Sequence, residues 1–253
     1  MPTGTRRPEA GGLLAETGEW GYERGRQCPR LIFDCDGVLV DSELLEHAVD
    51  AELLGPFGCS AGADQLLQRF VGIARRDMYE VVFGELKRVM PAGLLEERER
   101  RVWPRCVSDL ERVPGVELAL EALTEAPNCV ASSSLPDKLR MKLESTGLAG
   151  HFAPYIFSTA LVAKGKPAPD IYLHAAQATG HPADACIVIE DSRHGIAGAR
   201  AAGMRTIGFA GGGPATEGLC QELLDAGASI VISHMRDLPC AIRSLCDLKE
   251  RRT

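Results

Sequence analysis

The feature that most restricts how this chain can fold is the repeated alternation of short, continuous apolar runs with longer segments of helical periodicity. The runs are Leu31-Ile32-Phe33, Cys129-Val130-Ala131, Tyr155-Ile156-Phe157, Ile187-Val188-Ile189, Thr206-Ile207-Gly208-Phe209 and Ile230-Val231-Ile232. A run this short, apolar at every position, suits a strand buried on both faces, as in a parallel sheet covered by helices. Between the runs, Val116, Ala119, Leu120 and Leu123 recur at the spacing of one helix face, as do Ile171, His174, Ala175 and Ala178. Ser134-Leu135-Pro136-Asp137 has the form of a capping box at a helix start, and Gly147 that of a C-terminal stop. The alternation predicts an α/β fold, a doubly wound, Rossmann-like parallel sheet.

One region interrupts the pattern. Residues 44–112 contain no convincing strand but several helical stretches, at 45–54, 76–89 and 94–103, punctuated by Gly55-Pro56, Gly72 and Pro91. They are expected to form an all-helical subdomain inserted after the first strand, leaving 30–43 and 113–253 as the α/β core. Residues 1–29 carry no sustained period and are expected to be a mobile extension.

Charge narrows the partners. Lys and Arg total 28 against 35 for Asp and Glu, a net −7, the wrong sign for affinity resting on phosphate neutralisation along a nucleic acid. No apolar stretch approaches the roughly 18 residues of a bilayer-spanning helix, and the first residues lack a signal-peptide core, so a cytoplasmic protein without membrane or nucleic-acid partners is expected. Nine cysteines with neither a Cys-x-x-Cys pair nor zinc spacing read as reduced packing thiols. Oligomeric state is open in the sequence, with a monomer favoured.

In an open parallel sheet, ligands bind beyond the carboxyl ends of the strands. The polar residues that follow the apolar runs are Asp34-Cys35-Asp36-Gly37, Ser132 and Glu190-Asp191, and Lys166 lies in the loop Lys164-Gly165-Lys166-Pro167-Ala168-Pro169. Right-handed crossovers carry these loops to one sheet edge. Carboxylates gathered there repel one another unless a cation joins them, and magnesium, which keeps waters and accepts phosphate oxygens, suits so small a ligand set. A carboxylate can attack phosphorus and split one displacement into two easier ones. Asp34 is the candidate nucleophile. Asp36, two positions on and therefore on the same side of an extended chain, is the candidate acid/base. Asp191 would supply a metal carboxylate, with Glu190 either a direct ligand or an acceptor through water. Ser132, with Ser133 beside it, and backbone N–H groups at the next helix start can hold phosphoryl oxygens.

These residues resemble the four ordered motifs of the haloacid dehalogenase superfamily. Phe33-Asp34-Cys35-Asp36-Gly37-Val38-Leu39-Val40-Asp41-Ser42-Glu43 is similar to the first and Val130-Ala131-Ser132 to the second. Lys166-Pro167-Ala168-Pro169-Asp170 is similar to the third, and Ile189-Glu190-Asp191-Ser192 with Gly195, Ala199 and Gly203 to the fourth. The likeness spans about residues 30–240. It implies that Asp34 is the nucleophile, Asp36 the general acid/base, Ser132 and Lys166 phosphoryl ligands, and Asp34, the Asp36 carbonyl and Asp191 magnesium ligands. It also makes the helical insert a cap. The resemblance is nearest to phosphatases of small phosphorylated metabolites and to β-phosphoglucomutase. In the mutase an arginine near the position of Arg75 meets a distal phosphate, so the resemblance implies that Arg75 approaches the substrate when the cap closes, and a histidine is expected at the position aligned with Glu46. Here the histidine is His47, which tilts the expectation to a magnesium-dependent phosphatase of sugar or polyol phosphates, with a phosphomutase as the alternative.

The remaining reactive residues have plainer readings. Cys35 sits between two acids that disfavour its thiolate, so a packing role is expected. Gly211-Gly212-Gly213 lacks a Gly-x-Gly-x-x-Gly pattern and reads as a flexible loop. His194 is expected near the site rather than in it.

Overall fold

Arg30–Phe33 is buried at every position and forms β1, the strand around which the others assemble. The computed structural model describes residues 28–70, 73, 75–212 and 218–250. The expected extension therefore lies outside the described residues up to position 27, while Cys28 already packs against the core. After β1 come helices α1 (Ser42–Leu54), α2 (Ala63–Phe70), α3 (Arg75–Glu85), α4 (Leu94–Ser108) and α5 (Val116–Ala122). Strand β2 (Asn128–Ser132) leads into α6 (Pro136–Ser145) and α7 (Ala149–Phe152), and β3 (Ile156–Ser158) into α8 (Asp170–Ala178). The chain closes with β4 (Cys186–Glu190), α9 (Arg193–Ala201), β5 (Arg205–Phe209), α10 (Leu219–Ala226), β6 (Ile230–Ile232) and α11 (Leu238–Glu250).

The strands lie in the order β3-β2-β1-β4-β5-β6, all neighbours parallel, which is the expected doubly wound sheet. Strand alternation divides the core in two. Leu31, Phe33, Val130, Ile187, Ile189 and Ile207 meet α5, α6, α7 and α11 on one face. Ile32, Cys129, Ala131 and Val188 meet α8 and α9 on the other. Each fully buried aliphatic or aromatic side chain contributes about 2 kcal/mol, so a polar residue in the middle of β1 or β4 would be costly, and their charged residues, Arg30 and Glu190, stand at a strand end. The expected third run is displaced by one residue: Tyr155 stays outside the strand, with the Arg30 guanidinium 5.3 Å from its ring centroid.

Helices α1–α4 follow β1, and among the described residues no strand interrupts them. Val49, Leu54, Leu66, Phe70, Tyr79, Phe83 and Val102 gather in an apolar cluster separate from the sheet's, which Met141 of α6 joins from the core side. The chain leaves and returns side by side: the Asp41 N–H donates to the Glu111 carbonyl at 3.0 Å, and Val40 forms an antiparallel bridge with Arg112. The stretch expected to be helical to residue 89 ends at Glu85, because Lys87 adopts a left-handed backbone and turns the chain. The stretch expected to stop at 103 runs through Pro104 to Ser108, its last turns anchored by the fully buried Val102 and Cys106. Among the described residues, no helix is long and apolar enough to cross a membrane.

Candidate active site

Register brings the polar ends of the strands together. Phe33 is the partner of both Val130 and Ile189, and the Asp34 N–H extends the ladder to the Ile189 carbonyl at 3.0 Å. Asp34, Ser132 and Glu190-Asp191 thus stand along one edge, at the ends of the three adjacent strands β1, β2 and β4. Lys166 reaches them from its loop before α8. Its ammonium donates to Asp34 Oδ1 at 2.7 Å and to Glu190 Oε2 at 2.8 Å. Burial works to lower this lysine, yet the Asp34 and Glu190 charges hold it well above its ordinary range, so it is a permanent cation here.

Glu190 is held from every side. Its Oε2 also accepts from the Tyr172 hydroxyl at 2.9 Å, and its Oε1 from the Ser192 hydroxyl at 2.8 Å and the Ser192 N–H at 3.2 Å. Burial pushes its carboxyl upward, but the Lys166 charge and these hydrogen bonds bring it below the usual range. The side chain fits because Gly195 opens α9 without a Cβ: one placed there would lie 2.0 Å from Glu190 Cδ. The Ser192 hydroxyl accepts from the Gly195 N–H at 3.1 Å, capping the same helix.

Asp34, Glu190 and Asp191 each offer a carboxylate oxygen within 4.8 Å of the others. Burial, then the charges of Glu190, Asp34 and Glu43, raise the Asp191 carboxyl well above its usual range. Burial likewise raises Asp34, to about 7, against the opposing charge of Lys166 and with Glu190 and Asp36 adding to the rise. A divalent cation would relieve this strain, and a donor set of three carboxylates, two buried and Asp191 half-buried, fits a hard ion. Gly37 leaves room for the Asp191 carboxylate. At a φ of +74°, its missing Cβ would fall 1.8 Å from Asp191 Oδ2.

Asp36 is held by different partners. Its Oδ1 accepts hydrogen bonds from the Ser42 hydroxyl and the Lys142 ammonium, and its Oδ2 one from the Ser134 hydroxyl at 2.8 Å. Burial alone would raise this carboxyl, but the Lys142 charge and hydrogen bond, with Ser42, bring it below the ordinary range. Ser132 is buried and its hydroxyl accepts from the Ser134 N–H at 3.1 Å, whereas Ser133 is exposed. The expected capping box is absent: Ser134 is committed to Asp36, the N-cap position of α6 is Leu135, and Pro136 opens the helix. Cys35 is fully buried, and burial first, then Asp36, pushes its thiol well above the usual range, as a packing role requires.

Arg75 does not reach this group. Its Nη1 donates to Asp50 Oδ2 at 2.9 Å and meets His47 Nε2 at 2.8 Å. Since the Glu43 carbonyl, 2.8 Å from His47 Nδ1, can only accept, Nδ1 carries the proton and Nε2 accepts from Arg75. Burial and the Arg75 charge lower this histidine, consistent with a neutral ring. Asp50 also accepts from Tyr79 at 2.9 Å and Arg98 at 2.7 Å. Glu46 joins the two groups, with Arg98 at 2.7 Å, Lys138 at 2.8 Å and Lys142 at 3.5 Å. His194 is exposed, and of the triple glycine Gly211 and Gly212 are described while Gly213 lies outside the described residues. A Cβ on Gly212 would sit 2.0 Å from the Gly37 carbonyl oxygen, so this part of the expected flexible loop packs against the turn after β1.

Sequence reasoning missed Ser42, Ser134, Lys142 and Tyr172. The one hint for Lys142, a lysine three residues after Leu139 on a face that also buries Leu143, is too weak to separate it from a solvated lysine.

Comparison with known proteins places this geometry. The profile of haloacid dehalogenase-like hydrolases matches residues 31–209. The chain is 29% identical over 180 residues to a 6-phosphogluconate phosphatase of Escherichia coli, covering 71% of this chain and 81% of that one. It is 28% identical to a fructose-1-phosphate phosphatase of the same organism, covering 70% and 94%. Among solved structures, a haloacid dehalogenase-like protein of unknown function from Agrobacterium tumefaciens superposes with a TM-score of 0.80 at 41% identity, over 87% of this chain and all of that one. With the profile spanning the sheet from β1 through β5 and every motif aspartate inside it, the chain belongs to the haloacid dehalogenase-like hydrolases.

Proposed function

We propose that this protein is a magnesium-dependent phosphatase that hydrolyses a small phosphorylated metabolite, a sugar or polyol phosphate, through an aspartyl phosphate on Asp34. The observation that carries the reading is the separation of two aspartates by partner: Asp34 faces Lys166 and the acidic cluster, while Asp36 is held apart by Ser42, Ser134 and Lys142. The neighbours divide the roles by geometry: Lys166 and a bound cation would favour the ionised Asp34 that attacks, while Ser42, Ser134 and Lys142 orient Asp36, which is held ionised in the free protein and would take up its proton only with substrate bound. The names of the two phosphatase relatives support a phosphorylated sugar or sugar acid as substrate.

In this mechanism an Asp34 oxygen forms a bond to phosphorus as the bond to the substrate oxygen breaks, and Asp36 gives that oxygen a proton. Lys166 and Ser132 hold the phosphoryl oxygens. Water then attacks phosphorus, its proton passes to Asp36, and the Asp34–phosphorus bond breaks to release phosphate. A magnesium ion bound by Asp34, Asp191 and the Asp36 carbonyl would neutralise charge on the phosphoryl group. Glu190, with both oxygens engaged by Lys166, Tyr172 and Ser192, would act by orienting those groups rather than as a direct ligand. Residues 44–112 would form a cap selecting the substrate over a core of 30–43 and 113–253, and Arg75, tied to Asp50, would support that cap. A phosphomutase is the weaker reading, because Glu46 is occupied by Arg98, Lys138 and Lys142 and His47 by Glu43 and Arg75. A cytoplasmic monomer belongs to the same proposal.

The test is a phosphate-release screen over sugar, polyol, sugar-acid, nucleotide and glycolate phosphates, with magnesium or with EDTA. Activity that requires magnesium and vanishes in Asp34→Asn is expected. Turnover by Asp34→Asn at the wild-type rate would remove the nucleophile and the mechanism with it.

A further inference from the structure

Lys142 lies on α6, away from the four strand-end loops, yet its side chain is only 2% exposed and is aimed at Asp36. An ammonium has three N–H bonds. Lys142 spends them on three acceptors: Asp36 Oδ1, the Ser42 hydroxyl at 3.3 Å and Glu46 Oε1 at 3.5 Å. Asp36 belongs to the turn after β1, and Ser42 and Glu46 to the first turns of α1, so the nitrogen is braced between separate elements. The Ser42 hydroxyl accepts from Lys142 and donates to the same Asp36 oxygen, closing a three-membered ring of contacts. With Ser134 on Oδ2, both oxygens of Asp36 are engaged and the plane of its carboxyl is set. A lysine needed only to join α6 to α1 would not require this ring, since Lys138 already meets Glu46 at 2.8 Å.

We propose that Lys142 is a positioning residue for the reaction: braced by Ser42 and Glu46, its ammonium fixes the orientation in which Asp36 meets the leaving oxygen. This rests on the reading of Asp36 as the group that protonates that oxygen.

Leaving-group dependence tests it. An alkyl alkoxide leaves poorly without a proton, whereas p-nitrophenolate leaves without one, so loss of a correctly aimed acid is felt on the first substrate and not on the second. The rate of alcohol or phenol release in the first turnover is measured for p-nitrophenyl phosphate and for the alkyl phosphate that the screen finds fastest. Wild type, Asp36→Asn, Lys142→Met and Lys142→Arg are compared. Expected for Lys142→Met is a loss of at least about tenfold on the alkyl phosphate and under about threefold on the aryl one, with KM little changed and partial recovery in Lys142→Arg. Equal losses on both substrates in Lys142→Met, while Asp36→Asn discriminates between them, would overturn the role of Lys142 alone. Equal losses in Asp36→Asn would overturn the acid/base reading and this inference together. If Lys142→Met does not fold, the double variant Lys142→Met/Glu46→Gln, which removes both charges of the pair, is read by the same ratio.

Discussion

Gly37→Ala isolates the geometry of the acidic cluster from the stability of the fold. The added Cβ would lie 1.8 Å from Asp191 Oδ2, and contacts under 3.0 Å are not sustained, so the carboxylate must retreat by about 1.2 Å or the turn must move by as much. A displacement of about 1 Å at a reacting centre costs on the order of a hundredfold in rate. The fold loses far less. An L side chain in the left-handed region costs about 1–2 kcal/mol, which for a chain of this size lowers the melting temperature by about 3–6 °C. The assay pairs kcat, measured across a magnesium titration, with a thermal melt. Expected are a loss of about a hundredfold in kcat, a higher magnesium midpoint and a small drop in melting temperature. A variant with kcat and magnesium midpoint both within threefold of wild type would show that Asp191 need not stand where it does, and would refute its assignment to the cation.

The two neighbouring serines separate cleanly: Ser132→Ala should raise KM by about tenfold through loss of a buried donor, while the exposed Ser133→Ala should leave it within twofold, both read from initial rates. Glu46 gives a pH prediction. Burial opposes its ionisation, but Lys142, Lys138 and Arg98 hold its carboxyl well below the ordinary 4.5, so its stabilisation is complete above that value and is lost as pH falls toward the folded-state value. Glu46→Gln should therefore cost about 3 kcal/mol at pH 7 and progressively less below pH 4.5, measured by urea unfolding; an equal cost at pH 7 and pH 3 would contradict the assignment.

How far the site could be read in advance followed from which forces placed each residue. Asp34, Asp36, Glu190 and Asp191 were legible because an apolar run marks a buried strand and the next polar residue must stand at its end. Lys166 was legible from its place in the loop that leads into a helix. Lys142 was not, because a lysine on an amphipathic helix ordinarily reads as solvated, and its partner is 106 residues away in sequence. Ser134 was misread as a cap because local chemistry offered it that role, while Asp36 competed for the same hydroxyl. Arg75 was assigned toward substrate from resemblance, whereas Asp50 and His47, on α1, hold it inside the insert. The doubly wound parallel sheet was less exposed to such competition, since period, run length and the handedness of crossovers all favoured it.

Helix α6 serves two bodies at once. Leu139 and Leu143 fill the sheet's apolar layer, while Met141 enters the cluster of the helical insert and Lys138 and Lys142 answer Glu46 there. A graft of the insert onto a foreign scaffold would thus carry Glu46 with Arg98 and Arg75 but without Lys138 and Lys142, and the transplant would begin with an acid stripped of half its counter-charges. The exchangeable module is the insert together with that one edge of α6, so recombination between relatives should succeed only when both travel as a matched set.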